Sequence, residues 1–341
     1  MSSQEEKTKK EKIIEDNFKA TIEKINIKDY HIGAKIGKYS YGSLYFCKKI
    51  INNSFYVLKI YKKGKILQEN ATANVYNEYL NLSQIYHPFI NELKGINYTD
   101  SVNLYFLYDY IPGEEIKYYI KKNKSLQLRS ARFYCACLIT IFDYLHKKNI
   151  IYRGLRPENI LINETGYIKL VDFIFSKKLK SEYTYSIVGL HEYHSPEMIN
   201  KEGYNKSIDF WQIGILLYEM LTGYTPFFDT DPYQLYNNIK KGKVKYPNNF
   251  DRNTKLIINH FLNVDKNKRL GCRKRGIYDI IDEPFFEGFD WEKLLKRNLE
   301  PPFFPEINRD KHKMMDNSNN NDDNDEEDIE IPRDKDIFYN W

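Results

Sequence analysis

The residues best equipped for chemistry gather between Ile150 and Phe175, in the run IIYRGLRPENILINETGYIKLVDFIF. Two apolar pieces, residues 160–162 and 168–171, have the length of buried strands, and the NETG between them reads as a turn. Ahead of them a polar loop carries Tyr152, Arg153, Arg156, Glu158 and Asn159, and Asp172 follows the second strand. A second group lies earlier, where Gly37 and Gly42 sit within the segment from Ile36 to Leu44. Glycines in such a loop let backbone N–H groups approach a phosphate where a side chain would intrude. Taken alone, an ordinary hairpin accounts for the same letters. Lys59 closes the apolar run of Val57 and Leu58, a place from which a lysine commonly snorkels to solvent.

These groups need a scaffold, and the chain is long enough for one. Its 341 residues, 42% hydrophobic and 29% charged, describe a soluble globular protein with a sizeable core and exclude wholesale disorder. The net charge of +5 is mild, and no aromatic-basic repeat stands out, so nucleic-acid binding is not expected. Cys135 and Cys137 lack zinc-finger spacing and lie in the apolar run FYCACLITIF, which makes them core thiols. Neither a secretory signal nor a membrane span is expected, and residue 2 is Ser rather than the Gly of a myristoylation site. The expected location is cytoplasmic, with the nucleus not excluded.

In chain order, residues 1–29 place Ile13, Ile14, Phe18, Ile22 and Ile25 at helical spacing, an amphipathic helix laid on a body. Residues 30–63 alternate like a meander of strands, and a helix-forming stretch with Asn77 and Glu78 follows. Residues 103–116 read as a strand and a hinge at Pro112-Gly113, and Phe133 to His146 as an apolar helix. Another apolar helix runs from Ser207 through Met220. Near Pro284 a helix breaker closes the body, and after Pro305 the chain turns acidic and Asn-rich, the composition of a solvated linker.

Tyr152-Arg153-Gly154-Leu155-Arg156-Pro157-Glu158-Asn159, followed by Asp172-Phe173-Ile174, resembles the catalytic and metal-binding loops of eukaryotic protein kinases. Ser195-Pro196-Glu197 resembles the close of the activation segment, and Asp209-Phe210-Trp211, Arg269 and the run DWEKLLKRNLEPPFFPEI follow in the family's order. The likeness covers residues 30 to 341 and is closest to AGC kinases of the cAMP-dependent catalytic-subunit type. It implies an α+β, bilobal fold with a small β-rich lobe, a large helical lobe and nucleotide between them. Residues 1–29 would be an N-terminal helix, 30–286 the kinase domain, and 287–341 an AGC-type tail whose Phe338 and Trp341 fold back on the small lobe.

The resemblance also implies ATP and Mg²⁺ as cofactors. Ile36, Gly37, Gly42, Leu44, Val57, Asp109, Ile111, Glu115 and Leu161 would border the nucleotide. Lys59, paired with Glu78, would hold its phosphates, and Asn159 and Asp172 would hold the metal. Glu197 would pair with Arg269, and Ser186 would take the phosphosite opposite Arg153. Glu115, Glu158 and Glu219 hold the positions that bind arginines in basophilic kinases, so an Arg-rich substrate or a regulatory-subunit-like protein is the implied partner.

Several letters depart from the family. Gly154 stands where the catalytic Asp belongs, Arg156 replaces a lysine, Leu190 replaces the activation-segment Thr, Ile174 replaces the Gly of D-F-G, and Tyr39 the middle loop glycine. The expectation is a nucleotide-binding pseudokinase acting as a regulatory binding module. The alternative is a weakly active serine/threonine kinase that transfers the ATP γ-phosphate to Arg-directed sites.

Overall fold

The computed structural model describes residues 22–39, 41–306, 329–339 and 341. The chain divides into two compact units, the first built from residues up to Ile111 together with the last residues of the chain, the second from Pro112–Glu306. The first is β-rich and the second mostly helical, as the α+β, bilobal kinase fold requires.

A six-stranded sheet dominates the first unit. Its strands are β1 (Glu23–Lys24), β2 (Tyr30–Tyr39), β3 (Gly42–Lys49), β4 (Phe55–Lys62), β5 (Leu93–Asn97) and β6 (Asn103–Asp109), in the order β1-β5-β6-β4-β3-β2. Alternation of apolar and polar residues sends Ile25, Tyr30, Cys47, Leu58, Tyr105 and Leu107 into one cluster. Burial pushes the Cys47 thiol up to about 12, as befits a core thiol. Helices α1 (Lys63–Gln68) and α2 (Thr72–Leu82) follow β4.

The expected helix over residues 1–29 is corrected at its end. Residues up to 21 lie outside the described ones, but Glu23–Lys24 form a strand parallel to β5 and Ile27–Asp29 a 3-10 turn. Tertiary context overrides the helical spacing here. Ile25 is 6% exposed in the sheet's core, and its N–H bonds to Ile96 O at 3.1 Å.

The second unit opens with β7 (Gly113–Glu115), α3 (Ile116–Asn123) and the 20-residue α4 (Leu128–Lys147). Cys135 and Cys137 are buried on α4. Strands β8 (Ile150–Ile151), β9 (Ile160–Asn163), β10 (Ile168–Leu170) and β11 (Lys177–Lys178) make two small sheets, β10-β9-β7 and β11-β8. Four more helices carry the fold onward: α5 (Pro196–Ile199), α6 (Ser207–Thr222), α7 (Pro232–Lys241) and α8 (Arg252–Phe261).

α6 is apolar on nearly every side, and a helix of that kind belongs in a core. It is buried from Ser207 to Tyr218. Gly223 ends it at φ 86°, where a Cβ would meet Lys124 O at 2.2 Å, so only glycine fits. Residues 287–306, expected to begin a tail, pack on this second unit. Trp291 lies against Phe286 and Phe303 against Tyr119, with centroids 4.9 and 5.0 Å apart.

Candidate functional site

In the first unit the ion pair expected from sequence is present. Lys59 Nζ on β4 donates to Glu78 Oε1 at 2.9 Å and Oε2 at 3.2 Å, and both side chains are buried. Glu78 comes from α2 and is engaged by more than the lysine. Tyr108 donates its hydroxyl to Oε1 at 2.9 Å, and the Tyr61 hydroxyl donates to Oε2. The sequence reading missed both tyrosine contacts. The period of two along a strand was the available signal, since it places Tyr61 on the face of Lys59, and Tyr108 pairs in register with Val57 one strand over.

The other residues expected near a nucleotide are spread along the same sheet. Ile36 and Gly37 lie on β2, and Leu44, paired with both Gly37 and Lys59, lies on β3. Val57 is half-buried on β4, Asp109 ends β6 beside Lys94 at 3.1 Å, and Ile111 is buried just beyond. Gly42 has a packing reason of its own. A Cβ there would lie 1.9 Å from Ile60 O, so β4 itself requires a residue without one. At Gly37 the tightest neighbour, Leu44 Cδ1, is 3.3 Å away.

In the second unit the polar loop after β8 is held from beneath by α6. Asp209 accepts the N–H groups of Tyr152 at 3.0 Å and Arg153 at 2.8 Å, and meets His146 Nε2 at 2.7 Å. Gln212 bonds to Leu155 N and Arg153 O, each at 3.3 Å. Asn159 Nδ2 donates to Gly154 O at 2.8 Å, while its Oδ1 accepts from Arg156 Nε at 3.3 Å. Gly154, Arg156 and Asn159 are therefore brought together by mutual bonds. At Gly154 a Cβ would find nothing nearer than Tyr152 Cζ at 3.6 Å, so the glycine is not sterically required.

Asp172 follows β10 at φ 57°, a left-handed conformation that aspartate tolerates better than most residues. Phe173 meets Tyr152 edge-on at 5.1 Å, and Ile174 is buried. Tyr152 also donates its hydroxyl to Val171 O at 2.7 Å, which ties the loop to the residue before Asp172.

Arg153 is 2% exposed at φ 63° and reaches three segments. It donates to Phe175 O at 2.6 Å, Ser186 Oγ at 2.8 Å and the Tyr204 hydroxyl at 3.0 Å. Lys177 stands close enough that burial, helped by the Arg153 charge, lowers its pKa. Further on, Arg269 grips Glu197 through two bonds of 2.6 and 2.9 Å, and Ser207 adds a third at 3.0 Å.

The three expected glutamates also belong to this unit. Glu115 ends β7, with Leu161 opposite it on β9. Burial raises its pKa, as does the Glu158 charge, against the pull of Lys117 and Arg156. Glu219 accepts from the Tyr193 hydroxyl at 2.5 Å. Burial raises its pKa too, the Tyr193 bond lowers it, and Glu158 and Glu192 add to the rise.

The protein kinase domain family profile matches residues 30–286. The chain belongs to the protein kinase domain family. The chain is 35% identical over 297 residues to the cAMP-dependent protein kinase catalytic subunit of Dictyostelium discoideum, covering 87% of this chain and 45% of that protein. It is 36% identical over 287 residues to the cAMP-dependent protein kinase catalytic subunit of Schizosaccharomyces pombe, covering 84% and 56%. With the Homo sapiens cAMP-dependent protein kinase catalytic subunit PRKX the identity is 36% over 285 residues, covering 84% and 79%. The chain thus spans about half the length of several curated relatives it matches. Among the described residues no helix of the kinase domain is long and apolar enough to cross a membrane.

Proposed function

We propose that this kinase domain is a nucleotide-binding pseudokinase that acts as a regulatory binding module, with little or no phosphoryl transfer of its own. The observation that carries the reading is Gly154. Asp209, Gln212 and Asn159 hold the loop around it in place, yet no carboxylate stands at the position of the family's base. Loss of a general base costs ~10²–10⁴ in rate. Arg156 and the exposed Leu190 replace a lysine and a hydroxyl that would assist the same step.

The donor chemistry still suits Mg²⁺–ATP. Lys59, braced by Glu78, supplies a cation for phosphates. Asn159 and Asp172 supply hard oxygens, and Mg²⁺ typically takes one or two carboxylates and completes its shell with phosphate oxygens and water. When bound, ATP would bring the transferable phosphoryl group, and the chain's own part is to bind and orient it. Glu115, Glu158 and Glu219 are the acceptors for an Arg-bearing partner, either a peptide segment or a regulatory-subunit-like protein.

The test is transfer from labelled ATP to an Arg-rich serine peptide by wild type, Lys59→Ala and Gly154→Asp, beside thermal unfolding with and without Mg²⁺–ATP. Wild type is expected to be silent, to gain stability with nucleotide, and to gain activity as Gly154→Asp. Transfer by wild type that vanishes in Lys59→Ala would establish the weakly active serine/threonine kinase instead. Absence of a nucleotide shift at millimolar ATP would leave a scaffold that does not bind nucleotide.

A further inference from the structure

Lys117 occupies the first turn of α3, two residues after Glu115. A cation there faces the positive end of the helix dipole, so its own helix does not favour it. Its partner lies elsewhere. The ammonium is in hydrogen-bond contact with Glu158 Oε1, on the 3-10 turn Pro157–Asn159, with the two side chains 35% and 24% exposed. The second oxygen, Glu158 Oε2, is sealed from solvent and has no donor among the described residues. Oε1 is therefore the oxygen through which Glu158 meets a cation, and Lys117 holds it. Glu219 differs from Glu158 because it accepts from a neutral hydroxyl, that of Tyr193, and feels the Lys117 charge without bonding to it.

We infer that Lys117 sets the cationic specificity of this acidic surface. It pairs with Glu158 from within, so the surface takes a peptide bearing one guanidinium, and a second arginine has to compete with Lys117. The inference rests on the peptide-docking reading above. Its physical basis is an exchange. A second guanidinium reaching Glu158 must first displace an ammonium, so one partly exposed ion pair is lost as another forms, and such pairs are individually weak. Without Lys117, the same guanidinium meets a half-buried carboxylate with no resident cation and gains the whole charge-assisted contact.

The experiment is fluorescence anisotropy at low salt with the full chain. Labelled nonapeptides carry a serine preceded by two alanines, by one arginine, or by two arginines. The proteins are wild type, Lys117→Met, and the double variant Lys117→Met/Glu158→Gln. Wild type is expected to bind the one- and two-arginine peptides within about twofold of each other, as for an exposed pair that changes hands. Lys117→Met is expected to separate them by about tenfold, the scale of one charged hydrogen bond, and the double variant to close that gap again. A two-arginine preference already present in wild type overturns the inference, as does a ratio that Lys117→Met leaves unchanged. In either case arginine-dependent binding itself survives. If no protein distinguishes the arginine peptides from the alanine peptide, the docking reading falls and takes this inference with it.

Discussion

Glu78 is wholly buried and yet ionic, with Lys59, Tyr61 and Tyr108 all donating to it. A carboxylate offers about four acceptor positions, and the two tyrosines share the work that a lysine alone does in a simpler pair. Lys59→Ala therefore leaves Glu78 with two hydroxyl donors. It is expected to cost less than the ~3–5 kcal/mol typical of breaking a buried pair on one side. Tyr61→Phe and Tyr108→Phe should each cost about 1.5–3 kcal/mol, the range for hydrogen bonds to charged groups. Urea unfolding of the three variants checks the ranking, and a Lys59→Ala loss larger than the two tyrosine losses together would refute it. Gly154 is the opposite kind of residue. Its neighbours leave room for a Cβ, so Gly154→Asp should fold as well as wild type while it tests the chemistry.

Among the elements, α6 organises the second unit because its first turn is committed twice. Asp209 holds the loop after β8, and the Ser207 hydroxyl and carbonyl join the Glu197–Arg269 pair that ties in α5. Burial alone would raise the Glu197 pKa, but the Arg269 bonds and charge, with Ser207, hold the carboxyl below its usual value. A depressed carboxyl adds stability that is complete above the ordinary value of about 4.3 and is lost as pH falls through the depressed one. Arg269→Ala should lower stability by ~3–5 kcal/mol at neutral pH and abolish that acid-side loss, as thermal melts between neutral and acid pH would show. Glu219 runs the other way. Its raised pKa means a contribution present below the ordinary carboxyl value and lost as pH rises through the raised one. Glu219→Gln keeps an acceptor for Tyr193 without the charge, so it should melt higher than wild type at neutral pH and lose that advantage in acid.

At the scale of the whole chain, the last residues belong to the first unit although 112–306 separate them from the rest of it in sequence. Phe338 is fully buried, and Trp341 lies 4.8 Å from Tyr76 on α2. Asp336 meets Lys63 Nζ at 2.5 Å, and this buried ammonium also donates to Tyr98 O and Asp100 O. Gly64 makes way for the same segment, since a Cβ there would lie 2.8 Å from Ile329 Cβ. Phe338→Ala should cost ~3–5 kcal/mol, as for a large aromatic removed from a core. Asp336→Ala should be costly for a different reason, because it strips a buried cation of its counter-charge. Melts that match wild type for both variants would show that this packing does not hold in solution.

Much of this was legible in the letters. Spacing and burial periodicity placed the strands around the polar loop, the apolar α6 and the core thiols, because those features depend on local pattern and on what must leave water. Family motifs in order pointed to Lys59 with Glu78 and Arg269 with Glu197, pairs that the fold does bring together. The expectation failed at Ile22 and Ile25, where helical spacing lost to an open sheet edge. The Lys117–Glu158 contact and the Lys63–Asp336 pair were not legible, and of the tyrosine clamp on Glu78 only the shared face of Lys59 and Tyr61 was. Each joins residues whose side chains meet only after strands, helices and distant chain segments have packed, and no local periodicity records which charges come to share a buried space.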